Sequence, residues 1–392
     1  MSSVHPLRAI PEDDAFGEIL AGDVAIRNYL TPIKQHLDAL GATEVWINRP
    51  GELVVQVGGK NVKIDEPALT FGALEALATA VAVYAKQEGF GPKSPLLSAT
   101  LPDGERIQIA APPAVESGLY SITIRIPGDG IIPLTDYQMR GAFDKFAWGC
   151  PKDYAERRMT LASEDRALAD ALHSRNLMQF LCLAVEHKKT IAVVGDTGSG
   201  KTTLMKSLCQ MIPAEERLIT IEDVRELWLP GHDNRVHLLY SKGGQSVAKV
   251  TPSDLIASCM RMTPSRVLLA ELRGLEAWDF LKLLTTGHAG SITSYHAESC
   301  ELAYERFMFM AKENEQAASL SRDELKHLVR LTVDVVLHVT RKVVKDADGN
   351  ATGVERYVDE VSFDPWAKME AEFGGDREVN AGDSLLPPET KA

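Results

Sequence analysis

An excess of positive charge is what this sequence most plainly lacks. Forty-two lysines and arginines stand against 55 aspartates and glutamates, a formal net charge of −13, so no global field draws in nucleic-acid phosphates or an anionic lipid surface. Sequence-specific nucleic-acid binding is not expected, and a nucleic-acid translocase would need a local basic patch. Long apolar runs are missing too. The longest, Leu74 to Ala85, is interrupted by Glu75 and is far short of the ~20 residues of a membrane span. The N-terminus carries no charged start, apolar core and small-residue cleavage site, so the protein is expected in the cytoplasm, with any membrane contact peripheral. The five cysteines (Cys150, Cys182, Cys209, Cys259, Cys300) are scattered, odd in number and free of CxxC pairs. That excludes a disulfide framework and a cysteine-rich zinc site, and it fits a reducing compartment. No internal repeat is found.

What is present is the composition of an ordinary globular protein, 45% hydrophobic and 25% charged, and 392 residues are enough for two domains. Residues 1–135 mix the helical stretch RNYLTPIKQHLDALG with alternating runs such as EVWIN, LVVQV, ERIQIA and SITIRI, and they are expected to form a compact α+β domain. The cluster Pro127-Gly128-Asp129-Gly130 punctuates its end. Residues 136–176 are charged and mixed in sign, and read as a connector with helical pieces. From Leu177 an i, i+3, i+4, i+7, i+8 stripe, capped by Asn176, opens a second domain over 177–363. There the runs TIAVVG, RLITIE, RVLLAE and SITSYHA lack polar alternation, as expected of a mostly parallel sheet covered on both faces. DVVLHVTRKVV and VERYVDEVSF read as a hairpin turning at Asp348-Gly349-Asn350. Residues 364–392 are acidic, and order is not expected beyond Phe373.

Gly195-Asp196-Thr197-Gly198-Ser199-Gly200-Lys201-Thr202 fits G-x-x-x-x-G-K-[ST] between an apolar strand and a helical run beginning Thr202-Thr203. Glycines allow the backbone to wrap phosphates, the helix presents its positive end, Lys201 adds a cation, and Thr202 can ligate Mg²⁺. A phosphate cradle hydrolyses nothing alone. Carboxylates at neighbouring strand ends open onto the same crevice. Glu222 and Asp223 end LITIE, and Glu271 ends RVLLA. Such groups bind Mg²⁺, or orient and deprotonate the attacking water. A third constellation, Thr286 to Ala297, brings His288 and His296 together with hydroxyls suited to sensing a γ-phosphate. His288 and His296 are eight residues apart, which is not a metal-ligand spacing. His187, His232, His237, His327 and His338 read as ordinary core or surface residues.

GDTGSGKTT, ITIEDVREL, LLAELRG and TGHAGSITSYHAES, in this order, resemble the Walker A, Asp box, Walker B and His box of the secretion (traffic) ATPases. The closest branch is that of the type IV secretion ATPases, related to type II secretion and type IV pilus motors. The resemblance reaches the first domain through EVWINRPGELVVQV, GERIQIAAPP and SITIRIP. It implies a RecA-like ATPase domain behind a smaller N-terminal domain, a ring of six copies, and ATP and Mg²⁺ bound between the two domains. It also implies that Arg106 and Arg125 reach toward the phosphates and that cytoplasmic and inner-membrane components of a secretion apparatus are partners. On the same basis Arg273 is expected near the ring contact. Glu271 is the principal catalytic carboxylate on this reading, helped by Glu222 and Asp223, although Glu222 and Glu271 are both placed for the task. Ala270 replaces the usual glycine before Glu271. The absent four-cysteine motif and the absent AIRNLIRE-like segment favour type IV secretion over the type II and pilus motors. An ATP-binding switch with little turnover is a further alternative.

Overall fold

A computed structural model describes residues 19–40, 42–57, 60–87, 89–126, 131–240, 250–345 and 351–373. The chain divides into two compact units, one built on the elements before residue 130 and the other on those after it.

The first unit opens with helix α1 (Ile19–Leu40) and continues through strands β1 (Glu44–Ile47), β2 (Glu52–Val57) and β3 (Lys60–Asp65). Helix α2 (Phe71–Tyr84) then leads to β4 (Leu96–Thr100), β5 (Arg106–Ala110) and β6 (Ser121–Arg125). The strands form one antiparallel sheet in the order β3-β2-β1-β6-β5-β4. Alternation in the sequence becomes alternation in burial. Val45, Ile47, Leu53, Val55, Ile107, Ile109, Ile122 and Ile124 face one core with Ile26, Leu30 and Ile33 of α1 and Leu74, Leu77 and Val81 of α2. The register sets Arg106 directly opposite Arg125 and Glu44 opposite Arg125. Arg125 Nε donates to Glu44 Oε1 at 2.7 Å, which offsets the like-charge pairing.

The second unit begins with α3 (Leu134–Met139), β7 (Ala147–Trp148), α4 (Tyr154–Arg157) and α5 (Ser163–His173). Phe143, Phe146, Leu168 and Leu172 of the segment expected to be a connector are buried in this unit's core. Its apolar residues are few, but two aromatics and the spaced leucines of α5 suffice to dock it. Asn176 caps α6 (Leu177–Glu186) by accepting from the Gln179 amide. Then come β8 (Ile191–Val194), α7 (Lys201–Cys209), β9 (Leu218–Glu222), β10 (Arg235–Leu239), α8 (Pro252–Cys259), β11 (Arg266–Leu269), α9 (Glu276–Leu284) and β12 (Ile292–Tyr295). Helices α10 (Cys300–Lys312), α11 (Glu315–Ala318) and α12 (Arg322–Thr332) precede the long strands β13 (Val335–Lys345) and β14 (Ala351–Ser362), and α13 (Pro365–Phe373) follows.

The eight strands run β10-β9-β11-β12-β8-β13-β14-β7, and the pairs from β10 through β13 are parallel. Burial on both faces explains the unbroken apolar runs. Ile191 and Val193 enter one core, while Ala192 and Val194 enter the other. The fold is therefore α/β with a mostly parallel sheet, preceded by an antiparallel α+β unit, as expected. The strands of the expected hairpin are neighbours; its turn at 348–350, the boundary cluster at 127–130 and the tail beyond Phe373 lie outside the described residues. Cys150, Cys182, Cys209, Cys259 and Cys300 are all free thiols; Cys209, Cys259 and Cys300 are buried, Cys182 is half-buried and Cys150 is exposed.

Candidate active site

Strand β8 delivers the chain into the loop from Gly195 to Gly200, and α7 begins at Lys201. Three glycines make this turn feasible, with φ of +147° at Gly195, +74° at Gly198 and +102° at Gly200. A methyl group at Gly195 would stand 2.1 Å from the Val339 carbonyl oxygen. Lys201 Nζ donates to the carbonyls of Gly195 and Asp196, each at 2.8 Å. Asp196, Thr197 and Gly198 are exposed, and Thr202 and Thr203 are half-buried in the first turn of α7. Ser199 Oγ is buried and has no hydrogen-bond partner among the described residues, an orphaned polar atom in a loop whose amides and helix end suit a phosphate.

Two further strand ends converge on the loop. Glu271 follows β11, where Ala270 N bonds Ile221 O at 3.0 Å and Leu272 N bonds Ser294 O at 2.8 Å; the alanine in place of the usual glycine leaves the carboxylate in position. His296 follows β12. His296 Nδ1 is 3.4 Å from Lys201 Nζ, and His296 Nε2 is 3.3 Å from Glu271 Oε1. Arg273 donates from Nη2 to Glu271 and from Nη1 to Asp223 Oδ2, the latter at 2.8 Å. It thus serves this chain's own carboxylates, which hold it fully charged despite its partial burial. Partial desolvation of this half-exposed ring, and next the Lys201 ammonium, hold the His296 imidazole below its ordinary value of 6.5, against the opposing pull of Glu271.

Two expected residues are placed elsewhere. Glu222 is fully buried. Its Oε2 accepts from the amides of Glu226 (2.7 Å) and Leu227 (2.8 Å), and its Oε1 accepts from Thr220 Oγ1 at 2.7 Å and lies 3.4 Å from His237 Nδ1. That carboxylate shapes the turn carrying Asp223, and donors of its own strand and turn occupy both of its oxygens. His288 precedes β12 at the opposite end of the sheet. Neighbouring Gly290 packs on Lys188, just before β8, and on Arg266, the first residue of β11. A four-residue strand, roughly 13 Å long, separates His288 from the end where His296 meets the loop. Arg273, expected near a ring contact, pairs within this chain with Asp223 and with Glu271, two residues before it.

A family model described as "Type II/IV secretion system protein" matches residues 162–372, more than half of the chain. The chain belongs to that family. The type IV secretion system protein VirB11 of Brucella suis biovar 1 (strain 1330) is 42% identical over 346 residues, covering 88% of this chain and 91% of the relative. A "Type IV secretion system protein PtlH homolog" of Bordetella bronchiseptica (strain ATCC BAA-588 / NCTC 13252 / RB50) is 40% identical over 322 residues, 81% of this chain and 91% of the relative. The solved structure of the pilus retraction motor PilT with bound ADP superposes with a TM-score of 0.52 at 16% identity, over 86% of this chain and 84% of that one, a likeness of fold alone. The expected resemblance is borne out, and the protein is an ATPase of the secretion family. No helix among the described residues is long and apolar enough to cross a membrane.

Proposed function

We propose that this secretion ATPase hydrolyses ATP at the loop from Gly195 to Thr203 and uses the energy as a motor for type IV secretion. The carrying observation is the chain of contacts from Lys201 through His296 to Glu271, which joins the phosphate cradle to a carboxylate at the next strand end but one. The type IV secretion relatives support the biological role and leave the type II and pilus alternatives unfavoured.

Glycine amides and the start of α7 bind phosphate oxygens, and Lys201 exchanges its two loop carbonyls for phosphate. Glu271 accepts a proton as water attacks the γ-phosphorus and the bond to the bridging oxygen breaks, giving ADP and phosphate. His296 holds Glu271 in line and reports on the phosphate end through Lys201. Thr202 and Asp223 fit a Mg²⁺ that keeps several waters, whereas Glu222 is spent on its own backbone. Held by those residues, Mg²⁺ would supply neutralisation of the phosphate charge. Arg106 and Arg125, register partners on adjacent strands, are proposed as the first unit's phosphate cations.

The active form is proposed to be a six-membered ring that docks peripherally at the inner membrane against components of a secretion apparatus. Phosphate release is measured against ATP at several protein concentrations, with Lys201→Ala and Glu271→Gln as controls. Specific activity rising with concentration and lost in both variants is the expected result; equal inactivity of all three proteins with ATP still bound would favour a switch.

A further inference from the structure

Strand β8 has β12 on one side and β13 on the other. The cluster of His296, Glu271 and Arg273 occupies the β12 side, and the mechanism above makes no use of the other. There the strands β13 and β14 lie against the loop at each of its left-handed glycines. The Val339 carbonyl abuts Gly195; a methyl at Gly198 would stand 3.2 Å from Arg341 Nη1, and one at Gly200 3.2 Å from Arg356 Cδ. Arg356 Nε donates to the Gly198 carbonyl at 3.0 Å. Both arginines are exposed.

Arg341, Arg356, Lys201 and the positive end of the nine-residue helix α7 therefore gather on one short loop in which Asp196 is the only acid. Such a gathering repels itself until an anion arrives. A γ-phosphate must face Glu271, where the water is activated, so the remainder of the nucleotide leaves the loop on the opposite flank. We infer that Arg341 and Arg356 are nucleotide-binding residues that hold the α,β-diphosphate, the part common to ATP and ADP. A guanidinium offers five donors in a planar fork suited to phosphate. The bond to Gly198 uses one donor of Arg356 and orients the others. The inference rests on the P-loop reading given above.

The test measures the affinity of the full chain for a fluorescent ADP analogue and for ATP, together with kcat and KM, in Arg341→Ala, Arg356→Ala, Arg356→Lys and Lys201→Ala. Each alanine variant of the two arginines is expected to weaken ADP and ATP alike by about tenfold, with the loss falling on KM more than on kcat; lysine at 356 recovers part of it. Arg341 makes no hydrogen bond to the loop among the described residues, so Arg341→Ala separates ligand binding from bracing. Loss in Arg356→Ala alone would make that residue a brace for Gly198 and overturn the inference. ATP weakened with ADP unchanged would place the arginines on the γ-phosphate and overturn it as well. If Lys201→Ala alone loses ADP, only this inference fails; if Lys201→Ala binds and hydrolyses like the parent, the P-loop reading fails instead.

Discussion

His296 Nε2 stands 3.3 Å from Glu271 Oε1. The other ring nitrogen faces an ammonium, that of Lys201, so protonating the ring adds a cation beside a cation. Partial desolvation and Lys201 lower its pKa below 6.5, and the ring is neutral at pH 7. The neutral ring can donate from Nε2 to Glu271 and accept from Lys201 at Nδ1. As pH falls through the lowered value, the imidazolium pushes Lys201 away, and kcat is expected to fall with it. The native chain also binds this proton more weakly than the unfolded one, so His296 subtracts stability below pH 6.5 and not above it. In His296→Asn that acid limb should vanish from the pH–rate profile, with kcat about 10²-fold lower as Glu271 loses its alignment. An unchanged limb would remove His296 from the mechanism.

Arg273 holds two carboxylates, Glu271 and Asp223, with one guanidinium. Without it the two carboxylates lose the donor they share, and nothing fixes one against the other. Arg273→Ala is expected to lower kcat about tenfold or more. Arg273→Lys should restore only part, because a point charge cannot bond both acids as a fork does. A kcat unmoved in both variants would reduce Arg273 to a surface ion pair.

Glu222 and Glu271 look alike in sequence, each an acid at the end of an apolar strand, yet their surroundings separate them. Glu222 satisfies two amides and a hydroxyl in a fully buried position. Its replacement by alanine strands those donors and should cost ~2–4 kcal/mol, read as a lower denaturation midpoint. Glu271→Gln should leave that midpoint nearly unchanged while turnover falls ~10²–10⁴-fold. The opposite pattern would exchange their roles.

These contrasts mark what the sequence made legible. The P-loop was plain because its glycines act locally, and the strands β8, β9, β11 and β12 were plain because a sheet buried on both faces demands runs without polar alternation. The placement of Arg106 beside Arg125 follows from strand register, which the sequence alone did not supply. Glu222 could not be told from Asp223 or Glu271, since nothing in ITIED says which side chain turns inward. His288 and His296 share one motif, but four strand residues between them set them at opposite ends of the sheet. Arg341 and Arg356 were invisible because they approach the loop from more than 130 residues away in the chain. The segment 136–176 looked too polar to pack because its few buried residues are spread over several turns and helices.

Gly195 and Gly287 both have positive φ, at +147° and +98°, and their alanine variants should differ sharply. At Gly287 nothing lies within 4 Å of the added methyl, so the cost is backbone strain alone, ~1–2 kcal/mol, and nucleotide binding should persist. At Gly195 the methyl would press on the Val339 carbonyl at 2.1 Å and on Ser199 Oγ at 2.9 Å. Val339 is buried and belongs to β13, which pairs with β8, so the carbonyl cannot swing aside without opening the sheet. Gly195→Ala is therefore expected to cost about 3 kcal/mol and to distort the loop that holds Lys201. Thermal unfolding and ADP binding measured side by side check this: both should fail in Gly195→Ala. A Gly195→Ala protein with ordinary stability and affinity would mean that the close approach of β13 to the P-loop does not govern the loop's shape, and the expectation for Arg341 and Arg356 would weaken with it.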